Sequence, residues 1–187
     1  MADFIAALWN QEGVAARALE FLILTAARTG EVINAPWDEV DLDDKLWVVA
    51  AARMKAGREH RVPLSAAAAA VLKQMKEIRE SDFVFSGGRK GKPLSNMAML
   101  AVLKRMDRGE LTAHGFRSTF RDWAAECTNF PREVVEMALA HTIESKVEAA
   151  YRRGDLFQKR RQLAEAWARY CGTPKAQADV FPIRVRV

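Results

Sequence analysis

Histidine and tyrosine, whose side chains suit acid–base and nucleophilic chemistry, are rare in this sequence, with three and two residues. His114 and Arg117 are three residues apart, a spacing that places both on one face of a helix. A guanidinium fork beside an imidazole suits a phosphate oxygen, but an exposed ion pair or a helix cap also explains the pair. The other histidines are His60 and His141 and the only two tyrosines are Tyr151 and Tyr170, so a mechanism built on these residue types has few candidates.

Five further residues have both a structural and a chemical interpretation. Arg28 follows an apolar helical stretch, where a cation complements the helix dipole, and Glu31 can pair with it or orient it. Lys55 lies in a basic stretch, where it is either solvated or presented as a proton donor. His141 follows the apolar VVEMALA and fits a buried histidine, whereas Tyr151 fits a core aromatic.

The elements that must hold these residues are mainly helical. Apolar residues recur at helical spacing over residues 14–28, with Gly30 marking the end of that helix. The pattern then changes to period two in KLWVVAA and EHRVPL, which predicts an antiparallel hairpin whose tip, RMKAGR, carries Lys55. The apolar stripe of the helix consists of Leu19, Leu22, Ile23 and Ala26.

The second half of the chain predicts further helices and one loop. Ser65 is expected to cap a helix over 66–79, and Ser95 another to about Met106. Thr112 or Ala113 opens the helix that carries His114 and Arg117, and Pro131 fits a first helical turn. Gly154 and Asp155 separate helices over 144–152 and 155–171, and SGGRKGKP is a breaker-rich loop.

The composition excludes several classes of protein. Half of the 187 residues are hydrophobic and 28% are charged, which predicts one folded domain rather than a disordered scaffold. Cys127 and Cys171 form no CxxC pair, so a disulfide framework or cysteine zinc site is not expected, and a reducing, cytoplasmic location is. No apolar run matches a membrane helix or signal peptide. Lys plus Arg (29) exceed Asp plus Glu (24), which favours a nucleic-acid partner.

Five segments occur in one order that resembles a known family. TAARTGEV, RMKAGREHRVPLS, TAHGFRSTF, LAHT and AAYRRGDLFQKRR resemble the catalytic domain of the phage-type tyrosine recombinases, the integrases of prophages and genomic islands. The resemblance extends from about residue 12 to 171. It implies an α+β, mainly α fold with a small three-stranded antiparallel sheet near the N-terminal third. We therefore expect a catalytic domain over 1–173 and a C-terminal tail over 174–187.

The resemblance also implies a set of catalytic residues. Tyr151 would be the nucleophile of DNA strand cleavage and rejoining, forming a covalent 3′-phosphotyrosyl intermediate. Neither a metal nor a cofactor is implied, and Asp41, Asp43 and Asp44 fit a solvated turn rather than a metal site. The other implied catalytic positions are Arg28, Lys55, His114, Arg117 and His141, with Glu31 supporting Arg28.

The expected partners are double-stranded DNA attachment sites, with a tetramer of the full-length protein on DNA. Two alternatives are a type IB topoisomerase, which shares this nucleophile, and a module that only binds DNA. The DNA-binding candidates are Arg53, Arg58, Arg61, Arg89, Lys90, Lys92, Arg152 and Arg153.

Family members usually carry a preceding helical domain, so we expect this chain to be a fragment of a longer integrase. Its tail, PKAQADVFPIRVRV, is either a docking strand or a disordered end.

Overall fold

The computed structural model describes residues 1–141 and 154–173. The described chain is mainly helical with one three-stranded sheet, which confirms the predicted α+β fold. Its strands are β1 (Val40–Asp41), β2 (Leu46–Val49) and β3 (His60–Pro63), with 3-10 turns at Trp37–Glu39 and Ala51–Arg53. Its helices are α1 (Ala2–Trp9), α2 (Val14–Thr25), α3 (Thr29–Ile33), α4 (Ala66–Glu77), α5 (Ala98–Arg105), α6 (Gly115–Cys127), α7 (Arg132–Ala138) and α8 (Phe157–Gly172).

The sheet is antiparallel throughout, in the order β1-β2-β3. Trp47 and Val49 of β2 are buried while their neighbours are only half-buried, as the period-two pattern predicts. The ring of Phe21 on α2 packs 5.3 Å from that of Trp47, so this face of the sheet joins the core. The predicted hairpin is confirmed, and its connection over residues 50–59 carries Lys55.

Helix α2 lies at the centre and packs against α1, α3, α4, α5 and α8. The predicted apolar stripe is buried, but the predicted extension of the helix to residue 28 is wrong. The hydroxyl of Thr25 donates to the Phe21 carbonyl at 2.7 Å, and Ala26 then turns left-handed at φ 49°. Arg28 therefore does not end α2 but stands at the N-cap of α3, with Gly30 inside that short helix.

The other predicted helix starts have mixed outcomes. Ser65 does cap α4, because its Oγ accepts from the Ala68 amide at 3.2 Å. The predicted Ser95 side-chain cap is wrong, since α5 begins only at Ala98 and the backbone carbonyl of Ser95 forms the preceding turn. Helix α8 begins two residues later than predicted, where Asp155 Oδ1 accepts from the Phe157 amide. The predicted helix over 144–152 and the tail 174–187 lie outside the described residues.

Within the described part of the chain, no helix has the length and apolar character needed to cross a membrane. The two cysteines are free: Cys127 is exposed and Cys171 is buried in α8. Burial raises the pKa of the Cys171 thiol to about 12, so it stays protonated and packs as a small apolar group.

Candidate active site

Arg117 is the most deeply buried of the predicted site residues that the structure describes. Its guanidinium leaves α6 and donates through Nη1 to the carbonyl of Ala26 and through Nη2 to that of Leu139, the latter at 2.8 Å. Only 5% of the residue is exposed. A guanidinium has five N–H donors, so two bonds fix its plane and leave donors for a ligand. Arg117 thus joins the end of α2 to the end of α7.

Arg28 is held by Glu31 through two separate bonds. The Glu31 carboxylate accepts from the Arg28 backbone amide at 2.9 Å and from its Nη1 at 2.7 Å. Glu31 is buried, whereas 29% of the Arg28 side chain is exposed. Nη2 of Arg28 donates to the Ala140 carbonyl at 3.5 Å. Arg28 and Arg117 therefore bind consecutive carbonyls of the segment that leads to His141.

The carbonyls that accept from the arginines lie beside two left-handed residues. Ala26 follows α2 and Ala140 follows α7, both at φ 49°. In the second turn the His141 amide donates to the Glu136 carbonyl and the Ala140 amide donates to the Met137 carbonyl. These two hydrogen bonds are the pair that defines a Schellman motif. Glycine usually occupies such positions, because a left-handed alanine costs roughly 1–2 kcal/mol. This backbone cost is incurred where the chain directs carbonyls at Arg28 and Arg117.

His141 is oriented by Glu136 across the same turn. Its Nδ1 lies 2.6 Å from Oε2 of Glu136, whose other oxygen accepts from Nε of Arg121 at 3.1 Å. Burial alone would raise the pKa of Glu136, but the His141 hydrogen bond and the Arg121 charge outweigh it and lower that pKa. Glu136 is thus a carboxylate at neutral pH, and His141 donates to it from Nδ1. Nε2 of the half-exposed imidazole is left for another partner.

Burial and the charges of neighbouring arginines lower two pKa values in this region. The pKa of Arg117 falls to about 10 because burial disfavours its charge and Arg28 repels it, against the opposing pull of Glu31. The pKa of His60 falls to about 4, first through burial and then through the charge of Arg160. Glu31 pairs with Arg28 and acts on Arg117 only through its charge, so these two guanidiniums and one carboxylate carry a net positive charge. An anion such as a phosphate would relieve the repulsion between them.

His60 and Glu136 belong to this region, although the sequence predicted no specific role for either residue. His60 begins β3 and forms a hydrogen bond with the backbone of Ala138, which connects the sheet to the end of α7. A period-two pattern identifies the strand but not what its first residue touches. Glu136 precedes His141 by five residues, and their side chains meet only because the Schellman turn reverses the chain between them.

Lys55 and His114 are exposed, and neither forms a hydrogen bond or ion pair through its side chain to the described residues. His114 is the N-cap of α6, three residues before Arg117. Lys55 lies on the β2–β3 connection, whose base is fixed by Arg53. Arg53 donates to the carbonyls of Glu31 and Asn34, each at 2.6 Å, and pairs with Glu39 at 3.2 Å. The contacts thus unite Arg28, Glu31, Arg117 and His141, with Lys55 on a loop anchored at Glu31.

The predicted DNA-binding residues fall into different settings. Arg53 is used within the protein as described, and its DNA contact stays a prediction. Arg61 stacks its guanidinium 4.3 Å from the ring centroid of Phe157. Segment 86–93 is a closed turn in which the Gly87 amide donates to Lys92, and a Cβ at Gly87 would lie 2.3 Å from the Pro93 oxygen. The exposed candidates are Arg58, Arg61, Arg89, Lys90 and Lys92.

Tyr151, Arg152 and Arg153 lie outside the described residues. Within residues 1–141 and 154–173, no three His, Cys, Asp or Glu side chains group as metal ligands. Asp41 forms a local turn, with its Oδ1 accepting from the amides of Asp43 and Asp44. Tyr170 packs in an aromatic cluster, 5.6 Å from Trp167 and 5.5 Å from Trp123.

Known structures share this fold. An integrase from mycobacterium phage Brujita is 19% identical, with a TM-score of 0.66 over 86% of this chain and 54% of that one. The lambda integrase catalytic core is 18% identical, with a TM-score of 0.55 over 75% of this chain and 87% of that one. At such identities the likeness establishes the fold.

Sequence relatives are closer. Prophage integrase IntA of Escherichia coli strain K12 is 39% identical over 149 residues, and the integrase of Shigella phage Sf6 is 32% identical over 155 residues. These alignments cover 78% and 81% of this chain but only 36% and 40% of those proteins. Residues 3–156 match the phage integrase family. Together with the five family-like sequence segments, the fold and the arginine cluster, this match shows that the chain belongs to the phage integrase family.

Proposed function

We propose that this chain is the catalytic part of a site-specific recombinase that cuts and rejoins DNA through a tyrosine nucleophile. The observation that carries the proposal is the convergence of Arg28 and Arg117 on the Leu139–Ala140 backbone beside an oriented His141. Two guanidiniums and an imidazole Nε2 are the donors that a trigonal-bipyramidal phosphorane requires.

In the proposed reaction the phenolic oxygen of Tyr151 bonds to the scissile phosphorus as the bond to the 5′ oxygen breaks. Arg28 and Arg117 stabilise the charge that develops on the non-bridging oxygens. Lys55 gives a proton to the leaving 5′ oxygen, and His114 assists proton movement at Tyr151. In this step His141 is protonated on both ring nitrogens, so that it donates from Nε2 to the phosphate while Nδ1 stays bonded to Glu136. The 5′ hydroxyl of a second strand then reverses these steps, which conserves the phosphodiester bond without an added energy source.

Double-stranded attachment sites are the proposed substrate, and a tetramer on DNA is the proposed assembly. Lambda integrase, a structural neighbour, is known as a tetramer bound to a Holliday junction and as a dimer bound to a core site. A type IB topoisomerase would relax supercoils without exchanging strands, and the family match favours recombination over it. The reducing, cytoplasmic location expected from the cysteines stays a prediction.

A covalent adduct is the decisive test. Nicked duplexes with a randomised core are incubated with the full-length protein, and SDS-resistant protein–DNA adducts are captured and sequenced, which also identifies the attachment site. Tyr151→Phe should abolish the adduct while DNA affinity changes by no more than a few fold. Tyr170→Phe is the matched control, because its ring packs on Trp123 and Trp167, and it should leave the adduct intact.

The outcomes separate the alternatives. No adduct with the full-length protein, despite DNA binding, would leave a binding module. An adduct that relaxes supercoiled plasmid but never joins two duplexes would indicate the topoisomerase. Since arginines supply the charge stabilisation in the proposed reaction, we also expect cleavage to persist in excess EDTA. Loss of cleavage that magnesium restores would contradict this metal-free mechanism.

A further inference from the structure

Arg160 is a second buried arginine, outside the cluster around Arg117. Only 2% of it is exposed. All three of its guanidinium nitrogens donate: Nε to the Asp155 carbonyl at 2.7 Å, Nη2 to Asp155 Oδ2 at 2.6 Å, and Nη1 to the Arg61 carbonyl. One side chain of α8 therefore binds both the turn that precedes its own helix and strand β3.

A second set of contacts fixes the same turn to the same strand. The guanidinium of Arg61 stacks on the ring of Phe157 and lies 3.4 Å from Asp155 Oδ2. The other oxygen of Asp155 accepts from the Phe157 amide. Between them stands Leu156, the N-cap of α8, which is left-handed at φ 51°. Asp155 is thus bound to β3 from two directions.

The contacts among Arg61, Asp155, Phe157 and Arg160 form a clamp that links two catalytic regions of the chain. Strand β3 is the returning arm of the hairpin that carries Lys55, six residues before Arg61. Asp155 follows Tyr151 by four residues, a stretch that spans about 14 Å at most. Fixing Asp155 to Arg61 therefore limits how far the Tyr151 backbone can lie from the hairpin strand.

Stability alone is a weak reason for such an arrangement. A buried ion pair costs desolvation, and apolar residues of similar size often serve a core equally well. What a guanidinium adds is direction, because its fixed fork reaches a carboxylate and two carbonyls on separate segments at once.

We propose that Arg160 is a positioning residue for the nucleophile: through Asp155 and the Arg61 carbonyl it holds the residue four positions after Tyr151 against the strand of the Lys55 hairpin. This inference rests on the proposed function, but part of its test does not. Misplacing a reacting group by about 1 Å can cost on the order of 100-fold in rate. Arg160→Lys keeps the charge but cannot reach all three acceptors, so we expect single-turnover adduct formation to slow roughly 10- to 100-fold. DNA affinity should stay within about threefold, because Arg160 is buried away from DNA.

An exogenous nucleophile distinguishes positioning of Tyr151 from general damage to the site. In a Tyr151→Phe background, hydrogen peroxide can attack the phosphate in place of the phenol, and that reaction needs the phosphate-binding residues but not the tyrosine. Arg160→Lys should leave this rate unchanged within about twofold if it acts on the nucleophile. An equal loss in both reactions would overturn the proposal, since Arg160 would then support the phosphate site instead.

Two further variants keep the test decisive. Asp155→Asn removes the ion pair but keeps the carbonyl bond, so it should fold readily and show a smaller defect of the same pattern. Arg161→Lys is the matched control, because the neighbouring Arg161 donates only to the Asp44 carbonyl and stacks on Phe157, and no loss is expected.

Tryptic cleavage after Arg152 and Arg153 tests whether the clamp holds Asp155 to strand β3, without any DNA chemistry. It should become severalfold faster in Arg160→Lys and in Asp155→Asn but not in Arg161→Lys. Unchanged proteolysis in all three variants would refute the positioning role of the clamp even if no adduct ever formed. If proteolysis depends on Arg160 and Asp155 as expected but the wild-type protein forms no adduct, the result would instead contradict the proposed function.

Discussion

Arg28 and Arg117 are bound by backbone carbonyls and by Glu31, whereas Lys55 stands on an exposed connection with no side-chain bond to the described residues. The two regions meet at α3, where Arg53 anchors the hairpin base to the Glu31 carbonyl. The two arginines are each held by hydrogen bonds within the protein, and the lysine is held only through its loop.

The difference follows from what each charge must do. Groups that stabilise developing charge act best when they are already oriented, because no reorganisation is then needed during the reaction. A proton donor must instead reach an oxygen that departs, and an exposed lysine on a hairpin keeps that reach. In the proposed reaction, charge stabilisation therefore suits the bound arginines and proton transfer suits the exposed lysine.

The largest expected effect tests the exposed lysine, Lys55, as the proton donor. Lys55→Ala should slow cleavage by about 10²–10⁴, the usual contribution of a positioned proton donor. If sulfur replaces the leaving 5′ oxygen, a thiolate departs without protonation, so the variant should recover most of its loss. Single-turnover cleavage of both substrates measures this. Equal defects on the two substrates would mean that Lys55 only positions the phosphate.

The next largest effect tests the buried arginine, Arg117, as a group that stabilises charge on the phosphate. Arg117→Lys keeps a charge, but an ammonium cannot serve Ala26, Leu139 and a phosphate together, so the rate should fall about 10²–10³. The thio substrate should not restore it, because the non-bridging oxygens are unchanged. Thermal unfolding should also show a loss of about 1–3 kcal/mol from the unpaired carbonyls. Arg108→Lys, exposed and bonded only to the adjacent Asp107 carbonyl, is the control. Recovery of Arg117→Lys by sulfur would erase the distinction between the two regions.

Glu136 offers a smaller effect with a spectroscopic signature. Glu136→Gln removes the carboxylate that fixes the His141 tautomer, and cleavage should fall roughly 10- to 100-fold, as for other partners that orient a functional histidine. Nitrogen NMR should show protonated Nδ1 in the wild type and a mixture of tautomers in the variant. Glu136→Asp, which retains the charge, should recover part of the activity. An unchanged tautomer with reduced activity would assign Glu136 to α7 packing alone.

Much of this arrangement could be predicted because the relevant signals are local. The buried face of α2 follows from its apolar spacing, the hairpin from period two, and the α4 start from the Ser65 cap. The cationic tip that carries Lys55 was likewise visible as a basic stretch between two strands.

The features that were missed depend on backbone turns that the residue types do not announce. Ala26 and Ala140 are left-handed although alanine favours the right-handed helix, so neither the true position of Arg28 nor the Glu136–His141 contact could be anticipated. Arg160 is one of several basic residues on α8, and only the fold shows that it is buried against Arg61. Such contacts join residues 99 positions apart and have no local signature.

The smallest perturbation, His60→Gln, should affect stability rather than chemistry and lies where the two regions join. The folded-state pKa of His60 is about 4 against an ordinary value of 6.5, because burial and the charge of Arg160 disfavour its protonation. Between those pH values the unfolded chain binds a proton that the folded chain does not, so stability is complete above pH 6.5 and falls as the pH drops toward 4. The loss should reach about 3 kcal/mol, at 1.36 kcal/mol per pH unit. Urea unfolding from pH 4.5 to 7 should show this slope in the wild type and in Lys55→Ala, whose side chain is exposed, and a flatter curve in His60→Gln. Parallel curves for all three proteins would place the acid sensitivity elsewhere and contradict the view that the region around the arginines, not the hairpin tip, carries the strained charges.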